Sequence, residues 1–371
     1  MATEIERSSR PGVDVVAIRG DRVTEYFLTV SPTEALDLES MFPAAAEVVR
    51  QAGATVVSQE IFGVSNEEGA GAEMLSEFFG EVTWPVTWIE EGSEEEAARA
   101  AVQIWAVSGA DVTPVELRGE VVGSIFENNH AQYCRLGGLA AEDLEAGRGQ
   151  QARAVLELME EGVQMAGMDF ANVVRTWFYN YKMLDWYDEF NAVRTRFFNE
   201  RNVFDGLVPA STGVGGRNGA NAALMAECLA CRPLNSGVEA EAVVSPLQCP
   251  APEYGSSFSR AVELATPEMR RLYLSGTASI SEDGQSIHVG DVERQVARTM
   301  EVVEAILSSR EMGWGDVVRA IGYYKHSADC PLFGGHCKGL ELPEFPIALV
   351  KNDICRDDLL FEIELDAIRR R

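Results

Sequence analysis

Apolar side chains recur at Val292, Val296, Met300, Val303 and Ile306. That is one stripe every three to four residues, and it predicts an amphipathic helix over residues 291–309. Around it lies a regular series of elements. Residues 238–244 read as a lead-in strand. Residues 271–275 form an apolar strand that runs into a Ser275-Gly276-Thr277 turn, and Gly284 and Gly290 bracket a short hairpin. Beyond the helix, Gly313-Trp-Gly-Asp316 breaks the pattern and residues 317–324 form a strand. A loop rich in Gly and Pro over 332–344 leads to strands at 347–350 and 359–367. In the last of these, alternation sets Glu362 and Glu364 on one face and Phe361, Ile363 and Leu365 on the other.

The same series occurs upstream. Strands are predicted at 120–126 and at 133–139, the latter with a Gly-Gly turn. An apolar stripe through Val155, Leu158, Met159 and Val163 predicts a helix, followed by a strand at 173–179, a helix at 186–201 and a strand at 224–229. Gly167-Met-Asp-Phe-Ala-Asn-Val-Val-Arg-Thr176 parallels Gly313-Trp-Gly-Asp-Val-Val-Arg-Ala320. A fainter copy precedes it, with strands at 24–30, 54–62 and 98–107 and helices at 38–51 and 71–79. The chain therefore reads as three α+β units of the order β-β-α-β-α-β, over residues 14–115, 116–235 and 236–371, with linkers near Pro114 and at Pro233-Leu-Asn-Ser-Gly237. Each unit is an open sheet with helices on one face, so the bare face needs cover. Three such faces turned inward predict a single-chain pseudo-trimer with a barrel-like core.

Charge narrows the partners. Lys and Arg total 31 against 59 Asp and Glu, a formal net charge of −28 over 371 residues. Such a chain repels a phosphate backbone, so no nucleic acid partner is expected. No apolar leader and no run of about 18 apolar residues is present, so no membrane partner is expected. Seven scattered cysteines fit free thiols in a reducing cytoplasm. Cys228 and Cys231 lie on a predicted strand, where positions three apart face opposite ways. Cys330, His336 and Cys337 fall in the Gly-rich loop without a fourth ligand. No metal and no cofactor are expected.

The order of elements resembles the Rid (YjgF-like) family, whose members are usually homotrimers with sites at the subunit seams. Its members carry Gly-Pro-Tyr-Ser-Gln-Ala before the first core strand. Gly255-Ser-Ser-Phe-Ser-Arg-Ala261 occupies that place here, with Phe258 where Tyr is usual. The Ser275-Gly276 turn, the helix entry at Gly290-Asp291 and the Glu362-Ile-Glu364 strand also match. The family's imine and enamine deaminases grip a carboxylate with an arginine just after a Pro-Ala. Neither Pro209-Ala-Ser-Thr212 nor Pro346-Ile-Ala348 carries it. The chain is similar in size and repeat layout to a second branch, the chorismatases. The matching residues are Tyr254-Gly255 with Ser257-Phe-Ser-Arg-Ala261, Ser275-Gly-Thr-Ala-Ser279, and Cys355 seven residues before Glu362; the family's Pro-Arg-Gln is Pro246-Leu-Gln248 here.

The resemblance implies a site at an inter-unit seam that takes a small carboxylated substrate. Glu362 and Cys355 are the expected catalytic groups. A carboxyl held at a seam among apolar neighbours has a raised pKa and can donate a proton. In a chorismatase-like hydrolase that releases pyruvate, Glu362 would protonate an enol ether. Glu227 is expected at the equivalent place in the second unit, which would give a second site. The expected substrate-binding residues are Arg260, Phe258, Tyr254, Ser275, Gly276, Thr277, Arg175, Tyr179 and Arg217. Tyr179 belongs to an aromatic cluster with Trp177, Tyr181, Trp186 and Tyr187. Three readings stay open: a chorismatase-like hydrolase, a deaminase or other hydrolase of the family, and a non-catalytic ligand-binding or chaperone-like protein. Further oligomerisation also stays open. Two separated arginines at the seam pocket would favour a dicarboxylate, and one would favour an amino-acid-derived imine.

Overall fold

A computed structural model describes residues 3–33, 38–64, 70–90, 100–251 and 256–371. The first unit runs β1 (Glu4–Arg10), β2 (Val13–Arg19), β3 (Thr24–Val30), α1 (Leu38–Gln51), β4 (Thr55–Phe62), α2 (Ala70–Phe79), β5 (Val86–Ile89) and β6 (Ala101–Ser108). The second repeats it with β7 (Thr113–Leu117), β8 (Glu120–Glu127), β9 (Ala131–Ala140), α3 (Arg148–Met165), β10 (Val173–Asn180), α4 (Tyr187–Glu200), β11 (Ala210–Gly215) and β12 (Leu224–Pro233). The third comprises β13 (Glu239–Val243), β14 (Ala261–Ala265), β15 (Met269–Ala278), α5 (Val292–Ser309), β16 (Val317–Tyr324), α6 (Pro331–Gly339), β17 (Ala348–Lys351) and β18 (Phe361–Arg370).

The expected six-element order is present in each unit, with two strands added: one at the start and one short strand after the second helix. That short strand pairs parallel to its neighbour, as β11 does with β10. Each unit makes a six-stranded sheet of the same order, β1-β2-β3-β6-β4-β5 and its two counterparts. Residues 331–339 are helix α6 and not the loop expected there; Pro331 opens it at a position that needs no backbone N–H. Among the described residues no group of His, Cys, Asp and Glu is placed to hold a metal. Nor is any helix there long and apolar enough to cross a membrane.

On the helix side each sheet has its own core; the third gathers Val296, Met300, Val303 and Ile306 from α5 with Phe361, Ile363 and Leu365 from β18. The opposite faces meet in one shared cluster, to which Phe27, Trp105, Tyr133, Trp177, Tyr179, Tyr273 and Tyr323 contribute. The three sheets face one another without joining into a single closed sheet.

A bulge fixes the alignment of the units. It falls after Val56 in β4, Val173 in β10 and Val317 in β16. Counted from it, Phe62, Tyr179 and Tyr323 are equivalent, and their cross-strand partners are Ala101, Met225 and Glu362. Gln103, Glu227 and Glu364 share the next inward-facing position. Glu227 is therefore the counterpart of Glu364. The expected match to Glu362 was off by two residues, because a period of two puts both carboxylates on one face and the sequence does not show the bulge.

Candidate active site

A cleft of about 490 Å³ opens at the seam between the second and third units. From the second unit α4 supplies Tyr187, Asp188, Asn191, Arg194 and Thr195, and β11 supplies Ser211 and Gly213. The third unit supplies Phe258 and Arg260 before β14, Gly276 and Ala278 at the end of β15, Cys355 and Arg356 in the loop before β18, and Glu362 on β18. The seam is tied by polar contacts. Ser211 N donates to Ser275 Oγ (2.9 Å), Gly276 N donates to Thr212 Oγ1 (3.1 Å), and a 2.7 Å hydroxyl pair joins Thr195 to Ser257.

Local sequence explains why this seam is open. The residue equivalent to Gly213 is Trp88 in β5 and Leu349 in β17. Trp88 is buried against Phe42. At Gly213 no side chain fills that space, and a Cβ there would sit 3.0 Å from the Tyr187 hydroxyl.

Glu362 is 4% exposed. Burial pushes its pKa up to about 8, the Glu364 charge adds to the rise, and Arg175 and Arg260 oppose it. The group is thus mostly a neutral acid at pH 7. A Cβ at Gly276 would overlap Glu362 Oε1, so the carboxyl rests directly on the glycine. Cys355 lies in the same wall, and burial pushes its thiol up to about 12, helped by Glu362 and opposed by Arg356. It meets the cleft as a protonated thiol and not as a thiolate nucleophile.

Arg194, Arg260 and Arg356 line the cleft from three separate segments, and Arg194 Nη2 donates to Asn191 Oδ1 at 2.7 Å. Arg260 also donates to Cys249 O at 2.9 and 3.1 Å, and Arg356 to Gly284 O at 2.9 Å, which holds their side chains in place.

Of the residues expected at the site, Glu362, Cys355, Arg260, Phe258 and Gly276 come together. Ser275 and Thr277 lie just behind, with Ser275 Oγ donating to Ser259 O and Thr277 Oγ1 to Ser275 O (2.9 Å). Tyr254 lies outside the described residues. Three others sit elsewhere. Arg175 is fully buried and donates to Glu364 and Thr212, both at 2.6 Å. Tyr179 packs edge-on against Phe62 in the shared core. Arg217 pairs with Glu90 at the seam between the first and second units. Of the aromatic cluster, Tyr187 reaches the cleft, while Trp186 joins the second unit's own core. Sequence reading missed Asn191, Arg194 and Thr195; the available signal was an arginine in line with Phe190, Phe197 and Phe198 on the buried face of α4.

The structure is thus a tandem chain of three like α+β units, with an acid-bearing cleft between the second and the third. No family model matches it. Among individual proteins it is similar to the chorismatases. It is 27% identical over 237 residues to a 3-hydroxybenzoate synthase of Streptomyces hygroscopicus, a match covering 57% of this chain and 66% of that one. It is 28% identical over 218 residues to a chorismatase of Streptomyces rapamycinicus, covering 53% and 64%. The chain thus matches a little under two thirds of these relatives' length. A crystal structure of a chorismatase shares its fold, with a TM-score of 0.62 and 19% identity over 92% of this chain and 98% of that one.

Proposed function

We propose that this chain is a chorismatase-like hydrolase that releases pyruvate from an enolpyruvyl ether of a carboxylated ring. The observation that carries this reading is a buried Glu362, its pKa pushed up by burial, facing a cleft that three separate arginines also line. A dicarboxylate is the substrate class that such a set of cations suits, since a guanidinium grips a carboxylate through two parallel N–H donors. Within a chain of net charge −28, these arginines supply the local attraction that the surface as a whole lacks.

Glu362 gives its proton to the terminal methylene of the enol ether, and the ether carbon becomes an oxocarbenium ion. Water adds to that carbon and returns a proton to the Glu362 carboxylate. The resulting hemiketal breaks its bond to the ring oxygen, leaving a ring hydroxyl and free pyruvate. A positioned acid of this kind contributes about 10²–10⁴-fold to rate. Two of the similar proteins are named a chorismatase and a 3-hydroxybenzoate synthase, which supports this reading.

The test is pyruvate release from chorismate, followed by coupled reduction of the pyruvate, with chromatography of the ring product. Wild type should release one pyruvate per chorismate, and Glu362→Gln should be slower by at least about 100-fold. No pyruvate from wild type, or equal rates from both proteins, would overturn the proposal.

A further inference from the structure

Glu364 lies two residues beyond Glu362 on the same face of β18, and it is also fully buried. Four donors meet it. Arg175 Nη2 donates at 2.6 Å, Trp177 Nε1 at 2.8 Å and Arg319 Nη2 at 3.0 Å, and the Thr212 hydroxyl completes the set. Burial alone would raise its pKa, but Arg175, Arg319, Thr212 and Trp177 together bring it below the usual carboxylate range. The result is a permanent anion next to an acid that must stay neutral. The two are also linked mechanically: Thr212 accepts from Gly276 N, and Gly276 carries the Glu362 carboxyl.

We propose that Glu364 is a positioning residue for the Glu362 acid: its fixed negative charge keeps Glu362 in the proton-bearing form, and its bond to Thr212 holds the glycine on which that acid rests. This inference deepens the role given to Glu362 above and rests on it. The other seam supports a separate origin for the two carboxylates. There Thr87 Oγ1 accepts from Gly138 N at 2.9 Å beside Glu227, the counterpart of Glu364, while Met225 stands where Glu362 would be. The clamp thus exists without the acid, and only in the third unit does an acid stand beside it.

The other charged or titratable groups around Glu362 are few. Tyr323 faces it from β16, Arg175 reaches it from β10, and Arg260 from the segment before β14. Cys355 and Arg356 precede it in the loop, and Arg194 and Asp188 line the cleft from α4. Among these the thiol and the phenol stay neutral, because burial raises both. The arginines favour ionisation of Glu362. Glu364 is the anion whose repulsion opposes it most.

Removing that anion leaves Arg175 and Arg319 unbalanced, and both changes ease the loss of the Glu362 proton. The protonation of Glu362 is read without turnover from the infrared carboxylic-acid band, titrated in wild type and assigned by its absence in Glu362→Gln. In Glu364→Gln the midpoint should fall by about one pH unit or more, and in Glu364→Asp it should stay near wild type. If Glu364→Gln fails to fold, the charge-balanced pair Arg175→Gln with Glu364→Gln replaces it, with a smaller fall in the same direction. An unchanged or higher midpoint overturns this inference alone. A wild type with no such band at pH 7 overturns it together with the acid role of Glu362, whereas a failed pyruvate assay with the band shift intact overturns the reaction and leaves this inference standing.

Discussion

The Glu362 carboxyl lies against Gly276, whose backbone leaves no room for a Cβ at that contact. A strand-end glycine on β15 and an acid on β18 therefore fit together as one unit, held across the seam by Thr212. This pairing accounts for a glycine whose backbone needs no left-handed conformation; it is absent from the positive-φ positions.

Gly276→Ala should accordingly fold, because alanine can adopt this backbone, but it must push Glu362 aside. Overpacking of this kind costs about 1–3 kcal/mol, read as a fall in denaturation midpoint with unchanged slope. Pyruvate release should fall by at least about tenfold, since displacement of an acid by even an ångström weakens its alignment. Full activity in a folded Gly276→Ala would show that the carboxyl tolerates displacement, and that the contact is passive.

Much of this was legible from the chain alone, for definite reasons. The stripe from Val292 to Ile306 and the alternation from Leu359 to Ala367 each report a single face, and the structure has both as helix α5 and strand β18. The resemblance to chorismatase segments grouped Arg260, Gly276, Cys355 and Glu362, and the structure brings them together because they lie on or just before β14, β15 and β18, which are neighbours in one sheet. What was hidden depends on the partner unit. Arg194 lies more than 60 positions from Arg260, and nothing in a one-dimensional pattern reports that α4 covers a seam with the next unit. Arg175 looked like a ligand for a substrate carboxylate; its actual carboxylate is Glu364, 189 positions away. Each bulge falls in a Val-Val pair, but that pair does not report which residue of the closing strand stands opposite, so the offset between Glu227 and the Glu362 position stayed hidden.

That register bears on how many sites the chain has. Ala101, Met225 and Glu362 occupy equivalent positions, so the described seams differ in the group they present. Glu227 instead pairs with Arg135, whose guanidinium also meets Glu60. Glu227→Gln should lose stability by about 1–3 kcal/mol, because the buried Arg135 keeps Glu60 but loses its second carboxylate. Its kcat for pyruvate release should remain within about threefold of wild type at a temperature where it is folded. A loss of kcat as deep as that of Glu362→Gln would mean that the second seam takes part in turnover.

The raised pKa of Glu362 also has a thermodynamic consequence of opposite sign to its catalytic use. In the unfolded chain the carboxyl titrates near 4.5, and in the folded chain near 8. Between those values the folded state holds a proton that the unfolded state has lost. Folding therefore becomes less favourable as pH rises through this window, and the effect levels off above the folded value. At pH 7 the two pKa values correspond to a cost on the order of 3 kcal/mol. Glu362→Gln removes the titration while keeping nearly the same shape. The variant should match wild type in stability near pH 4 and exceed it increasingly from pH 5 to pH 8, while losing pyruvate release throughout. Parallel denaturation curves across that range measure the difference directly. A gap between the two proteins that does not widen with pH would place the Glu362 proton loss near its ordinary value, and the protein would then hold a carboxylate, and no acid, at its seam.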